Sequence, residues 1–355
     1  MVDLPSLRRV YVRLPNWVGD VVLATPALRA LRRAAPQAEV VAHAPGVALR
    51  LLEPEGLFDR ALPLLKRGGP LWPLREGRRV RREVGPLDLA VLLPNSVSAA
   101  LVAAAAGAPA RLGYRLNGRG ALLTHGPRVA VRGLLRPIPM VDYYLDLLAE
   151  IGVETSAEPR RPTLSVTPAA RDAAESFLTR LRANAPSQRR WALNLGGSWE
   201  TKRWVPQHAG RLVRLLRRAG ITPILLRGPD EAELAEAVCA AAGERVPGAD
   251  EVVGLGELCA VLERCELLIT SDSGPRHFGV AAGIPVLVLI GSTHPGYTAV
   301  DYPPLDVVSE RVDCWPCHLK TCPLDFRCMR ALTAERVLAA AEAHLSRERV
   351  SGWAA

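Results

Sequence analysis

The sequence predicts an α/β protein of two doubly wound parallel-sheet domains facing across a cleft. Three observations predict it. Short apolar runs alternate with amphipathic helical patterns along the whole chain, as in sheets built with crossover helices. That alternation restarts after a polar, proline-bearing segment, "VETSAEPRRPTLSVTPAA". The 355 residues also suffice for two domains at roughly 150 residues each.

In the first half, "RRVYVRL", "AEVVAHA" and "LDLAVLL" read as strands. A helix is expected over Thr25 to Ala34, with apolar residues at helical spacing and Arg29, Arg32 and Arg33 on its outer side. "LDLAVLLPNSVSAALVAAAAGAPA" is interrupted by Pro94, Asn95 and two serines, so it reads as a strand, a turn and a small-residue helix rather than a membrane span of about 18 apolar residues. "MVDYYLDLLAEIG" is the helix that closes this half. The second half opens with "RRWALNLGG", a strand running into a Gly-Gly turn, and "PQHAGRLVRLLRRAG", a helix stopped by Gly220. "TPILLRGPDE" and "CELLITSDSG" are strands with turns, "AELAEAVCAAAG" and "RHFGVAAG" are helices, and "IPVLVLIGST" is the last clear strand. A helix from Thr333 as N-cap, with Glu335 in its first turn, ends the chain. The domains are placed at residues 1–160 and 188–355, with 161–187 as linker and connecting helix.

Composition is that of a soluble globular protein, 49% hydrophobic and 23% charged. The N-terminus lacks a signal-peptide profile, so the cytosol is the expected compartment. The net charge of +9 is uneven: residues 1–150 hold 21 Arg and Lys against 12 Asp and Glu, whereas 151–355 hold 24 of each. An anionic partner is therefore expected at the first half. The densest stretch, Asp59 to Arg82, carries eight basic residues, Arg78, Arg79, Arg81 and Arg82 among them. It reads either as a solvated loop or as a mobile flap gripping a phosphorylated or membrane-bound substrate. Nucleic acid is not expected, because no helix-turn-helix, zinc-finger or RRM signature is present. Only Lys66, Lys202 and Lys320 are lysines among 45 basic residues, which hints that a compact ammonium is wanted at each.

Two turns carry the strongest chemistry. "TSDSGPRH" delivers Asp272, Ser273 and Gly274 to the carboxyl edge of a sheet, where open α/β folds bind ligands and backbone N–H groups can meet an anion. His277 follows on the next helix, either a structural histidine or a group at the mouth of the site. "NLGGSWETKRW" offers Gly197 for close backbone approach, Ser198 and Thr201 as hydroxyl donors and Lys202 as a point charge for a diphosphate. Trp199 and Trp204 read as packing residues. Asp230 and Glu233 of "RGPDEAE" are candidates for a ribose or base, or simply solvated helix-start acids. In the first half, "NWVGD" has the shape of a nucleotide-binding turn but holds one glycine and a carboxylate, Asp20, so phosphate is a poor guest for it.

Cys314, Cys317, Cys322 and Cys328 form a C-x2-C-x4-C-x5-C segment. Three readings stay open: a structural zinc or other metal, disulfides, or reduced packing thiols.

The motifs "WVGDVVLATPALRALR", "GGSWETKRWVP" and "SDSGPRHFGVAAGIPVLVLIGST", together with the cysteine segment, resemble the bacterial heptosyltransferases of lipopolysaccharide inner-core synthesis, glycosyltransferase family 9, and most closely its type II members. The likeness runs from about residue 10 to 345. It implies a GT-B fold, an acceptor domain followed by an ADP-heptose domain, and inverting transfer that needs no metal cofactor. It implies that Asp20 is the catalytic carboxylate, that Lys202 binds phosphate, and that Asp272, Ser273 and Gly274 form the donor turn. The implied partners are ADP-heptose, an anionic Kdo–lipid A core acceptor and the cytoplasmic face of the inner membrane. The implied reaction moves heptose to the first heptose of the core. A type I transferase or another family 9 transferase with a different acceptor, or a non-catalytic nucleotide-sugar or anionic-polymer binding module, are the alternatives. Arg276 departs from the family pattern, where methionine is commoner.

Overall fold

A computed structural model describes residues 2–65, 68–127, 138–182 and 188–350. The described residues form two five-stranded parallel sheets. Contacts divide the chain into one unit of Met1–Pro162 with Tyr297–Val300, and a second of Thr163–Gly296 with Asp301–Ala355.

In the first unit the strands are β1 (Arg9–Arg13), β2 (Glu39–Ala44), β3 (Arg60–Pro63), β4 (Leu89–Leu92) and β5 (Ala110–Leu112), ordered β3-β2-β1-β4-β5. The helices are α1 (Val18–Leu23), α2 (Thr25–Ala34), α3 (Gly46–Leu52), α4 (Trp72–Val84), α5 (Val97–Ala105) and α6 (Met140–Ala149). This is the Rossmann order, which reverses direction between β1 and β4. The turn carrying Asp20 leaves β1 at that reversal. β1 is buried along nearly its whole length, as a central parallel strand must be. α2 forms over the expected residues, with Pro26 in its first turn and Ala27, Leu28, Ala30 and Leu31 turned into the core.

The basic stretch is ordered differently from the expected loop or flap. Arg60–Pro63 is an edge strand and Trp72–Val84 a helix; Lys66 and Arg67 lie outside the described residues. Trp72, Glu76, Gly77, Val80 and Val84 make a narrow buried stripe at helical spacing, enough to fix a helix whose other faces are charged. Gly77 lets α4 approach α5 closely: a Cβ there would stand 2.5 Å from both the Val102 carbonyl oxygen and Ala105 Cβ.

The second unit holds α7 (Pro168–Arg182), β6 (Arg190–Asn194), α8 (Pro206–Arg218), β7 (Thr222–Leu225), α9 (Ala232–Ala242), α10 (Leu255–Leu262), β8 (Leu267–Ser271), α11 (Pro275–Ala282), β9 (Val286–Ile290), β10 (Leu305–Ser309), α12 (Arg327–Arg330) and α13 (Ala334–Val350). Its sheet runs β7-β6-β8-β9-β10, the flavodoxin-like order that reverses between β6 and β8. Trp191, Leu193, Trp204, Leu212, Val238, Ile269 and Leu289 lie in one buried cluster. α7, grouped above with the linker, packs on α10, with Arg171 Nη1 2.7 Å from Glu263 Oε2. The last linker residues, 183–187, lie outside the described residues.

Candidate active site

At the strand reversal of the second unit, the turns after β6 and β8 meet. Gly197, at φ +153°, has a backbone conformation in which a side chain is strained, and a Cβ there would lie in ordinary contact with Lys202 Cβ at 3.5 Å and Ser273 Cβ at 3.8 Å. Ser271 donates to the Gly196 carbonyl. Ser273 Oγ donates to Asn194 Oδ1 at 3.2 Å, and the Asn194 amide donates to the Leu226 carbonyl at 2.9 Å. Three successive strand ends are thereby tied into one surface.

Asp272 is the hub of this surface. Arg276 Nη1 donates to its Oδ1 at 2.8 Å, while Thr293 Oγ1 donates to Oδ2 at 2.6 Å and Lys202 Nζ stands 3.2 Å from Oδ2. Burial works to raise the Asp272 pKa, but the charges of Arg276 and Lys202 and the hydrogen bonds of Thr293 and Arg276 outweigh it, holding the carboxyl well below the usual range. Lys202 is partly exposed and lies 4.9 Å above the Trp199 ring, so its ammonium reaches the surface held between a carboxylate and an aromatic face. His277 is buried, and burial together with the Arg276 charge lowers it to about 3. Its imidazole is therefore neutral near pH 7, and Nδ1 has no hydrogen-bond partner among the described residues.

Several expected donors are placed otherwise. The Thr201 hydroxyl donates to the Leu319 carbonyl at 2.6 Å and accepts from Ser292 at 3.0 Å, so its proton serves the loop instead of a ligand. The Ser273 N–H turns back to the Ser271 carbonyl at 2.7 Å, and Pro275 has no N–H to offer. Gly274 N–H is what that turn leaves for an anion. Ser198 is exposed. Asp230 and Glu233 are solvated, and their neighbour Glu231 instead accepts the Gly228 N–H at 2.8 Å and lies against Gly196. Thr293, Ser292 and Glu231 were missed; the "GST" ending the last clear strand was the signal available for the first two.

The cysteine segment clasps this site from outside the sheet. His318 N–H donates to the Ser292 carbonyl at 2.9 Å, the Leu319 carbonyl takes the Thr201 hydroxyl, and Lys320 Nζ lies 6.0 Å from the Trp199 ring. Cys314, Cys317, Cys322 and Cys328 are free thiols. Among the described residues no three His, Cys, Asp or Glu are arranged to hold a metal.

In the first unit, Asp20 occupies the first turn of α1 and is partly exposed, beside a Trp17 that is 67% exposed. Arg13 fixes this turn from below. Its buried guanidinium donates to the Leu14 carbonyl and to Asn16 Oδ1, and to the His43 carbonyl at 3.2 Å. The neighbouring turn after β4 is held likewise by buried Arg119, which donates to the Pro94 carbonyl and, at 2.9 Å, to Asn95 Oδ1. Neither arginine was picked out from sequence, because only the fold shows them buried.

Of the four candidate acceptor arginines, Arg78, Arg81 and Arg82 are exposed, though Arg82 pairs with Glu83 at 3.5 Å. Arg79 is committed elsewhere. It is bidentate to Glu76 at 2.6 and 3.1 Å, and also donates to Glu83 at 3.0 Å and the Pro63 carbonyl at 2.8 Å. Glu76 in turn contacts His43 Nε2 at 3.0 Å, and His43 Nδ1 meets the Tyr11 hydroxyl at 2.5 Å. Arg79 is thus the outer end of a buried network rather than an acceptor ligand.

The sequence model of glycosyltransferase family 9 (heptosyltransferase) matches residues 77–326. Lipopolysaccharide heptosyltransferase 2 of Escherichia coli is 27% identical over 308 residues, covering 84% of this chain and 85% of that protein. The Salmonella typhimurium enzyme of the same name is also 27% identical, over 305 residues, with 84% and 85% covered. Among solved structures, a glycosyl transferase family 9 protein from Veillonella parvula superposes with a TM-score of 0.79 at 22% identity, covering 98% of this chain and 99% of that one. E. coli ADP-heptose lps heptosyltransferase II gives 0.76 at 23% identity, with 96% and 99% covered. The structural likeness establishes the fold: two Rossmann-like units of the GT-B class.

Proposed function

The chain belongs to glycosyltransferase family 9, and from that premise we propose that it moves a heptose from ADP-heptose to the first heptose of a lipopolysaccharide inner core, with inversion at the transferred carbon. The observation that carries the donor half is the Lys202–Asp272–Thr293 cluster at the strand reversal of the second unit. It presents one fixed ammonium at the place where open α/β sheets bind phosphates. Curated relatives named as heptosyltransferase 2 support the heptose and the core acceptor.

The chemistry follows from the residue types. An acceptor hydroxyl attacks the anomeric carbon, its proton passes to the Asp20 carboxylate, and the bond from that carbon to the diphosphate oxygen breaks, releasing ADP. Inversion requires base and leaving group on opposite faces of the sugar carbon. Asp20 on one unit and Lys202 on the other give the two roles to separate sheets. Lys202 and the Gly274 N–H meet the charge gathering on the departing diphosphate. The buried, neutral His277 imidazole adds no charge beside this site. No step passes through a metal.

The first unit supports a glycolipid acceptor at an anionic membrane surface. Trp17, Val47, Leu65, Leu71 and Val97 are exposed, and each follows a strand at the carboxyl edge of the first sheet. Along α4, exposed Leu74, Arg75, Arg78 and Arg82 continue this mixture of apolar and basic side chains. Apolar residues flanked by arginines suit the boundary between acyl chains and phosphorylated headgroups. No helix of the described residues is long and apolar enough to cross a membrane, so attachment on this reading is peripheral, at the cytoplasmic face.

Incubation with ADP-heptose and core acceptors of defined length, read by mass spectrometry, tests the assignment. A gain of one heptosyl residue only on acceptors ending in the first heptose is expected. Transfer to acceptors lacking that heptose, or no transfer at all, would defeat it.

A further inference from the structure

Arg276 is a charged residue in an unusual position: 1% exposed, and one helical turn beyond the aspartate at the centre of the donor turn. A buried guanidinium is retained only with a counter-charge, and Asp272 supplies it at 2.8 Å through Oδ1. The other oxygen, Oδ2, faces Thr293 and Lys202. Asp272 therefore stands between two cations of different kinds, Arg276 sealed in the protein and Lys202 at the surface. The three formal charges sum to one positive charge. The remaining titratable group in direct sequence with them, His277, is neutral.

We infer that Arg276 is a positioning residue: by satisfying Asp272 from inside, it leaves the charge of Lys202 available to an anionic ligand, the diphosphate of a nucleotide sugar. This rests on the reading of the second unit as a nucleoside-diphosphate-sugar site. Without Arg276, the Asp272 carboxylate draws on Lys202 alone of these two cations, and the charge Lys202 offers a diphosphate is reduced. With it, Asp272 also acquires a fixed orientation, since its two oxygens are bonded from opposite sides. Oδ2 is thereby aimed at Lys202 Nζ.

The idea makes a charge-balance prediction that a packing role does not. In Arg276→Met, calorimetric ADP affinity falls by about tenfold or more, and the donor KM rises while the acceptor KM stays put. Arg276→Lys, which keeps the charge, retains part of the affinity. The deciding variant is Asp272→Asn combined with Arg276→Met, which removes both buried charges and restores the net positive charge on Lys202. It binds ADP more tightly than Arg276→Met alone, and its binding recovers the salt dependence that the single variant loses. Circular dichroism melts show each variant folded before its affinity is compared. If Arg276 only fills space, the double variant is no better than the single one, and that result overturns the inference. ADP binding by Arg276→Met equal to the unaltered protein overturns it too, while leaving the donor site standing. Failure of the unaltered protein to bind ADP would overturn both.

Discussion

Replacing His277 by glutamine should flatten the pH dependence of the second unit's stability by a calculable amount. His277 is buried and lowered from 6.5 to about 3. As the pH drops through 6.5 the unfolded chain gains a proton there that the folded chain refuses. A group held below its ordinary value in this way destabilises the fold as pH falls, at up to about 1.4 kcal/mol per pH unit. Between pH 7.5 and 5 the accumulated loss from this one imidazole is about 2 kcal/mol. Glu76 and Asp272 are also lowered, from 4.5 and 3.8, but for carboxylates the loss begins only as pH falls below those ordinary values. His43 and His318 are lowered as well, act in the same sense as His277, and are present in both proteins, so they cancel in the comparison. Urea unfolding followed by tryptophan fluorescence includes this unit, because Trp191 and Trp204 are buried in its core, while the signal of Trp72 in the first unit is common to both proteins. The unaltered protein should lose about 2 kcal/mol more than His277→Gln between pH 7.5 and 5. Parallel stability curves would show that the histidine titrates normally, and would refute the neutral imidazole assigned to the donor site.

Two further outcomes follow from the geometry. Lys202→Ala should weaken ADP binding and transfer together, by about a hundredfold in kcat/KM, and unchanged donor affinity by calorimetry would remove Lys202 from the diphosphate. Gly77→Ala should lower stability by about 1 to 3 kcal/mol, because its Cβ would stand 2.5 Å from backbone and side-chain atoms of α5; a urea midpoint equal to that of the unaltered protein would show that α4 and α5 separate freely.

The central strands and amphipathic helices were legible because their burial is written locally. α2 announces itself through the spacing of Ala27, Leu28 and Leu31 and the proline in its first turn. The strands that went unread, β3, β5 and β10, are all edge strands. Each is partly exposed, so none presents the continuous apolar run by which buried strands such as β8 and β9 are recognised. α4 was hidden for a related reason. Its buried stripe is narrow and includes a glutamate, Glu76, whose inward position depends on His43 two strands earlier. That same non-local pairing took Arg79 out of the acceptor set, since nothing near it in sequence marks Glu76 as buried. At the donor turn, motif and structure agree on Lys202, Asp272 and Gly197 as neighbours. The hydroxyl of Thr201 was misread because its partner, the Leu319 carbonyl, lies more than a hundred residues away. The cysteine spacing permitted metal, disulfide or free thiols, and a choice among them requires the side-chain arrangement itself.

The claim on which the account depends most is that Asp20 takes the acceptor proton. Asp20→Ala, assayed for heptosyl transfer and, separately, for ADP binding by calorimetry, tests it most directly. The account predicts transfer lowered by about a thousandfold or more with ADP affinity unchanged, because the nucleotide is assigned to the other unit. Transfer within a few-fold of the unaltered protein would contradict it.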